Sequence, residues 1–373
     1  MIKTVLFDVD GVLLSEDHYF DASALTVWEL LISDHYLGLA PLKFRTDVHR
    51  GEIKLIRSDV FQDDQVLSYL KSRGLNANWD MIYLTFSCQL IELLAQLDDR
   101  DRTAEWLSSP IDRSVLQEMG QALREVNPTI RYQAFLENFH TTAETKQGLM
   151  NHLDVLAREK LGVETSIFAE KGALWLVCEH VSQEWYVGDS HVQQSTGRPS
   201  VQLGKKGFLA DEQTLAPAEE IARLFSRLKE KEVTIGIGTG RPQLETIQPF
   251  QHLNWLSYFD ENTVITADDV LRAQKAFTDK GSLSKPHPFT YVMALLGRDR
   301  GERSSVEARL PMAGADEVLV VGDSLADLIA AREIGCQFAA VLTGLSGEKA
   351  RADFEKHEAD YILDDVMELE RLL

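Results

Sequence analysis

A chain of 373 residues, 44% of them hydrophobic, is long enough for two domains and supports a substantial core. Acidic residues outnumber basic ones, 59 against 38, for a net charge of −21, which disfavours phosphate-tracking contacts with nucleic acid and adsorption to anionic membranes. Cys88, Cys178 and Cys336 are scattered and form no CxxC pair, which argues against a disulfide framework or a thiolate zinc site and predicts reduced thiols of a cytoplasmic protein.

The chain opens on "KTVLFDVD", an apolar run that predicts a first strand, broken at its end by Asp8 and Asp10. Those two carboxylates interrupt the run before it has the length or cleavage pattern of a secretory signal, and no later run reaches the ~20 apolar residues that span a bilayer. From Asp21 to about Gln202 the pattern turns helical. "MIYLTFSCQLIELLAQL" repeats apolar residues at three and four, and Leu174, Cys178, Val181 and Trp185 form one stripe. Further helices are predicted around Leu25–Ile32, Val66–Leu70, Val115–Leu123 and Gly148–Leu161. Residues 189–207 are polar and aperiodic, as a linker or mobile loop is.

Strand signals then return, at residues 232–240, 262–266, 316–323 and 336–342. Each is a short apolar, partly β-branched run bounded by Gly, Asp or Asn, as in strands covered on both faces of a parallel sheet. Helical patterns alternate with them: residues 216–232, with Pro217 in the first turn, and 324–335, stopped by Gly335. The expected architecture is a doubly wound, parallel-sheet α/β core of residues 1–20 and 205–373, with a large all-α domain (21–204) inserted after the first strand.

In open α/β sheets ligands bind beyond the carboxyl ends of the strands. Four polar clusters fall there or in adjoining loops: Asp8-Val9-Asp10-Gly11, Gly238-Thr239-Gly240-Arg241-Pro242, Lys285 in "SKPHP", and Gly322-Asp323-Ser324 with Asp327 four residues past Asp323. Taken singly, each has a plain structural reading: a turn, a helix cap, a solvated lysine with Lys275 and Lys280 as equals, a helix start. Together they bring four carboxylates to one lysine, which calls for a cation. All-oxygen ligands favour a hard ion, Mg²⁺. The spacing puts Asp323 and Asp327 on one helix face, facing a metal held by Asp8. Lys285 and the Thr239 hydroxyl suit a dianionic phosphoryl group.

The motifs resemble those of the haloacid dehalogenase superfamily, specifically its phosphoglycolate-phosphatase-like hydrolases. "DVDGV" is similar to the first motif, "GTGRP" to the second, "KPHP" to the lysine motif and "VGDSLADLIAA" to the fourth. The resemblance covers the core alone; the insert matches in being helical, and it is longer than the usual cap. It implies a phosphatase acting on a small phosphorylated substrate, with Asp8 as nucleophile and Asp10 as acid and base. It further implies Mg²⁺ on Asp8, the Asp10 carbonyl and Asp323, with Asp327 as ligand or supporting partner. Thr239, Gly240 and Lys285 would hold the phosphoryl group, and the insert would act as a lid.

Asp10 favours phosphoryl chemistry over dehalogenation, and no cap lysine marks a phosphonatase. A phosphomutase shares the first half-reaction and stays open, as does a non-catalytic relative, although no motif residue is missing. In the insert, Lys43, Arg45, Arg50, Lys54 and Arg57 are read mainly as a solvated face, Trp175, Trp185 and Tyr186 as core, and His18 and Tyr19 as residues near its entrance. Oligomeric state is left open, with a homodimer through the insert as one arrangement.

Overall fold

The computed structural model describes residues 2–39, 44–75, 77–140, 142–145 and 147–372. Lys43 lies outside them. The chain divides into two compact units, Met1–Asp17 with Leu209–Leu373, and His18–Phe208.

The first unit is built on six strands: β1 (Thr4–Phe7), β2 (Thr234–Gly238), β3 (Val264–Ile265), β4 (Val318–Gly322), β5 (Gln337–Val341) and β6 (Tyr361–Leu363). They form one sheet in the order β3-β2-β1-β4-β5-β6, parallel throughout. Side chains alternate across it. Val5 and Phe7 pack with Ile221, Leu224, Phe225 and Leu228 of helix Ala218–Glu230, whereas Leu6 joins Tyr291 and Val292 of helix Phe289–Leu296 and Leu328 and Ala331 of helix Leu325–Ile334. Both faces are therefore covered, which is why these strands read as unbroken apolar runs. Each large side chain so buried contributes about 1.5–3 kcal/mol. Helix Ala218–Glu230 carries Glu219 and Glu220 in its first turn and Arg227 and Lys229 in its last, matching its dipole; Pro217 is its N-cap, one residue ahead of the expected first turn. The sheet order reverses direction at β1, so the crevice lies beyond the carboxyl ends of β1, β2 and β4.

In the second unit every described element is helical. Helix Asn78–Leu94 is buried from Asp80 to Leu94, and the stripe of Leu174, Cys178, Val181 and Trp185 on helix Ala173–Val187 is buried as its spacing requires. The three cysteines are free and buried. Among the described residues no helix is long and apolar enough to cross a membrane. His18 stacks on Phe208 (4.4 Å) and Tyr19 on Tyr186 (4.1 Å). Arg57 pairs with Asp21 and Asp64, so its cation is a structural one and not part of a solvated face. The stretch 189–207 also departs from its sequence pattern: it holds a short helix, Val192–Thr196, and its Lys205 is 2% exposed.

Lys205 is drawn inside by two carboxylates. Its Nζ lies 2.7 Å from Glu29 and bonds Glu184, and all three side chains are fully buried. One lysine cannot neutralise both. Burial pushes the Glu29 carboxyl up to about 7 against the pull of Lys205, whereas Glu184, also opposed by burial, is held down to about 2 by His180, Lys205 and the Val201 N–H. A raised folded-state pKa gives stability that is present below the ordinary value of 4.5 and is lost as pH rises through about 7. The Glu184 contribution changes below that window, between 4.5 and about 2. Glu29→Gln, neutral at every pH, is therefore expected to gain on the native protein between about pH 5 and 7.5, by up to about 3 kcal/mol. Urea unfolding across that range checks it; a variant-minus-native difference that does not change with pH refutes it.

Candidate active site

The carboxyl end of β1 sets the geometry. Asp8 N–H donates to Val321 O of β4 at 2.9 Å, so the first residue past the strand is still anchored to its neighbour. On its side chain, Oδ1 accepts the Val9 N–H (2.7 Å) and Oδ2 lies 2.9 Å from Lys285 Nζ. The chain then turns tightly, Leu13 and Leu14 N–H returning to Val9 O, with Gly11 at φ +73°. That conformation favours glycine, and a Cβ there would also strike the Asp323 carboxylate. A Cβ on Gly344, just past β5, would meet the same carboxylate. Two glycines thus form a cradle for Asp323. Gly11→Ala is expected to lower stability by about 1–2 kcal/mol from the left-handed backbone alone, and further by displacing Asp323. A denaturant midpoint equal to the native one would refute this.

Asp323 follows β4 and precedes the helix: Ser324 is the N-cap and the helix begins at Leu325. The two aspartates therefore do not share a helix face as the spacing suggested, because only Asp327 is helical. They still converge. One oxygen each from Asp8, Asp323 and Asp327 lies within 4.8 Å of the others.

Asp327 is the most enclosed of the three, with no exposed surface. Its Oδ1 accepts from Tyr291 Oη (2.7 Å) and faces Lys285 Nζ (2.7 Å), and its Oδ2 accepts from Ser324 Oγ (2.6 Å). The ammonium of Lys285 thus bridges Asp8 and Asp327 and lies 4.8 Å from the centre of the Tyr291 ring. Burial works against its charge, but Asp327 and Asp8 more than offset that and raise its pKa. For Asp8 the balance goes the other way. Burial pushes its carboxyl up to about 7, with Asp327 and Asp10 adding to the rise and Lys285 opposing it.

The Asp10 carboxylate stands apart from this group. Its Oδ1 accepts from Arg241 Nε at 2.8 Å, and burial pushes it up to about 6 while Arg241 pulls it down. Arg241 belongs to the quoted "GTGRP" stretch, yet sequence reasoning gave it no role. Thr239 and Gly240 lie at the carboxyl end of β2. The Thr239 N–H bonds Ile265 O of β3 at 3.0 Å, and its Oγ1 accepts the Arg241 N–H at 3.1 Å, which leaves its proton to donate. Gly240 has open space where a side chain would stand.

This donor set fits a hard divalent cation. Three carboxylates converge against one ammonium, and the two glycines shape space around one of them. Asp8, Asp323 and Asp327 offer carboxylate oxygens; the Asp10 side chain, held by Arg241, is not in that group. Sequence reasoning missed Tyr291 and Glu212, whose Oε1 accepts from Arg241 Nη2 at 2.8 Å, and gave Ser324 no part beyond a helix start. Tyr291 reads as core in its apolar helix, Ser324 as a cap, and Glu212 carries no local signal.

A family model described as haloacid dehalogenase-like hydrolase matches residues 2–335. An X-ray structure of a Northeast Structural Genomics Consortium target is 37% identical, covers 100% of this chain and 98% of that chain, and superposes with a TM-score of 0.90. A predicted phosphoglycolate phosphatase from Haemophilus somnus 129pt covers 100% of this chain and 97% of that chain at 12% identity, with a TM-score of 0.40, too low to carry an argument about activity. A stretch of 112 residues, 30% of this chain, is 25% identical to GTPase-activating protein GYP7 of Debaryomyces hansenii and spans 14% of that protein's length.

Proposed function

We propose that this chain, which belongs to the haloacid dehalogenase-like hydrolases, is a Mg²⁺-dependent phosphatase acting on a small phosphorylated metabolite. The observation that carries this reading is the convergence of Asp8, Asp323 and Asp327 within 4.8 Å at the ends of β1 and β4, with Lys285 bridging two of them. A phosphate dianion approaching Asp8 needs positive charge to offset repulsion, and Lys285 supplies part of it. Mg²⁺ held by Asp8, Asp323 and the Asp10 carbonyl would supply the rest. In this reading Asp327 holds Lys285 in place through its contacts to Tyr291 and Ser324.

Asp8 attacks phosphorus in line, forming the Asp8–phosphorus bond as the bond to the substrate oxygen breaks. Asp10 gives its proton to that leaving oxygen. It then takes a proton from a water that attacks phosphorus, releasing phosphate and restoring the Asp8 carboxylate. Thr239 and Lys285, with the Gly240 N–H, hold the transferring group.

A screen of phosphorylated metabolites with Mg²⁺ and with EDTA tests the reading. Free phosphate released only with the metal supports it. An isomerised sugar phosphate with little free phosphate would make the enzyme a mutase, and no turnover of any phosphate ester would leave a non-catalytic relative.

A further inference from the structure

We infer that Arg241 is the positioning residue of the acid–base group Asp10, and that Glu212 in turn orients Arg241. This rests on the phosphatase reading and extends it to residues that the motif resemblance assigns no part. Arg241 follows β2 and is large and cationic, its side chain 1% exposed. Its Nε donates to Asp10 Oδ1 (2.8 Å), its Nη2 to Glu212 Oε1 (2.8 Å) and its Nη1 to the Glu245 carbonyl (3.0 Å). Three partners on three separate segments therefore fix the plane of one guanidinium. Glu212 lies on the segment that precedes helix Ala218–Glu230, and Glu245 on helix Gln243–His252.

A guanidinium cannot shed its proton, so burying it demands a counter-charge. Glu212, its side chain also 1% exposed, supplies one such counter-charge. If Arg241 only tied the 212 segment to the helix, Glu212 and the Glu245 carbonyl would suffice. The Nε bond to Asp10 is surplus to that task. Asp10 is the more open end of the chain, its side chain 26% exposed. A short, partly exposed carboxylate needs an external constraint to present one rotamer, and proton transfer to a leaving oxygen falls off steeply when the donor is misplaced. The fixed fork of Arg241 supplies that constraint, and a lysine, with a rotatable point charge, would supply it poorly.

The test separates proton transfer from folding and binding. Arg241→Met, Arg241→Lys and Glu212→Gln are compared with the native enzyme, in Mg²⁺, on p-nitrophenyl phosphate and on an alkyl phosphate. Nitrophenolate leaves without a proton, whereas an alkoxide does not. For Arg241→Met the expected result is a pre-steady-state burst of nitrophenolate within about threefold of the native rate, then slow turnover. On the alkyl phosphate kcat should fall about a hundredfold with KM little changed. Arg241→Lys and Glu212→Gln should show the same pattern more weakly. Equal losses in burst and alkyl turnover for the two milder variants, or no loss in any variant, would overturn the positioning role. A native enzyme that releases phosphate from neither ester would overturn the phosphatase reading itself.

Discussion

Asp8→Asn is expected to reduce phosphate release by more than about a thousandfold, with the fold intact. The amide is nearly isosteric with the carboxylate and can still accept the Val9 N–H, so the turn through Gly11 has no reason to change. What is lost is the anionic Oδ2 that faces Lys285, the atom that would form the bond to phosphorus. Removing one negative charge from the group of Asp8, Asp323 and Asp327 also weakens its demand for a cation. Two readings separate this from unfolding: a thermal midpoint equal to or above the native one in EDTA, and phosphate release at the background rate in Mg²⁺. Activity within tenfold of native would remove Asp8 from the nucleophile's place.

Lys285→Met should cost both activity and stability, and the two should respond differently to metal. Its ammonium bridges Asp8 and Asp327 at 2.9 and 2.7 Å, and without it two enclosed carboxylates face each other uncompensated. Breaking such a pair from one side costs about 3 kcal/mol, moderated as one carboxyl takes up a proton. In EDTA the thermal midpoint should drop. Adding Mg²⁺ should recover part of that loss, because a cation on Asp8 offsets the same repulsion. Phosphate release should stay about a hundredfold below native, since the cation that meets the transferring phosphoryl oxygens is gone. Full recovery of activity by Mg²⁺ would assign Lys285 to stability alone.

The parts of this site that the sequence reveals are those where chemistry interrupts a strong local pattern. Asp8, Thr239 and Asp323 each stand where a buried apolar run stops, and a parallel sheet has one place for such residues, at its carboxyl edge. Arg241 was visible in "GTGRP" but its part was not, because a rotamer is not written in a motif. The charge count changes with it: of the four carboxylates set against one lysine, Asp10 has a cation of its own. Glu212 lies 29 residues before Arg241 in an aperiodic segment, and Lys205 meets Glu29 across 176 residues of chain. Such pairs leave no periodic trace, since only the folded chain brings them together. β6 was missed for a different reason: Tyr361-Ile362-Leu363 stands between Asp360 and Asp364-Asp365 with a single β-branched residue, so no strand pattern stands out.

Phosphate bound covalently to Asp8 is the most direct sign of this chemistry. In a rapid acid quench of a single turnover with a radiolabelled phosphate ester and Mg²⁺, label is predicted on the peptide that carries Asp8, rising before free phosphate and absent from Asp8→Asn. Phosphate released with no labelled enzyme at any time, or label on a peptide without Asp8, would contradict it.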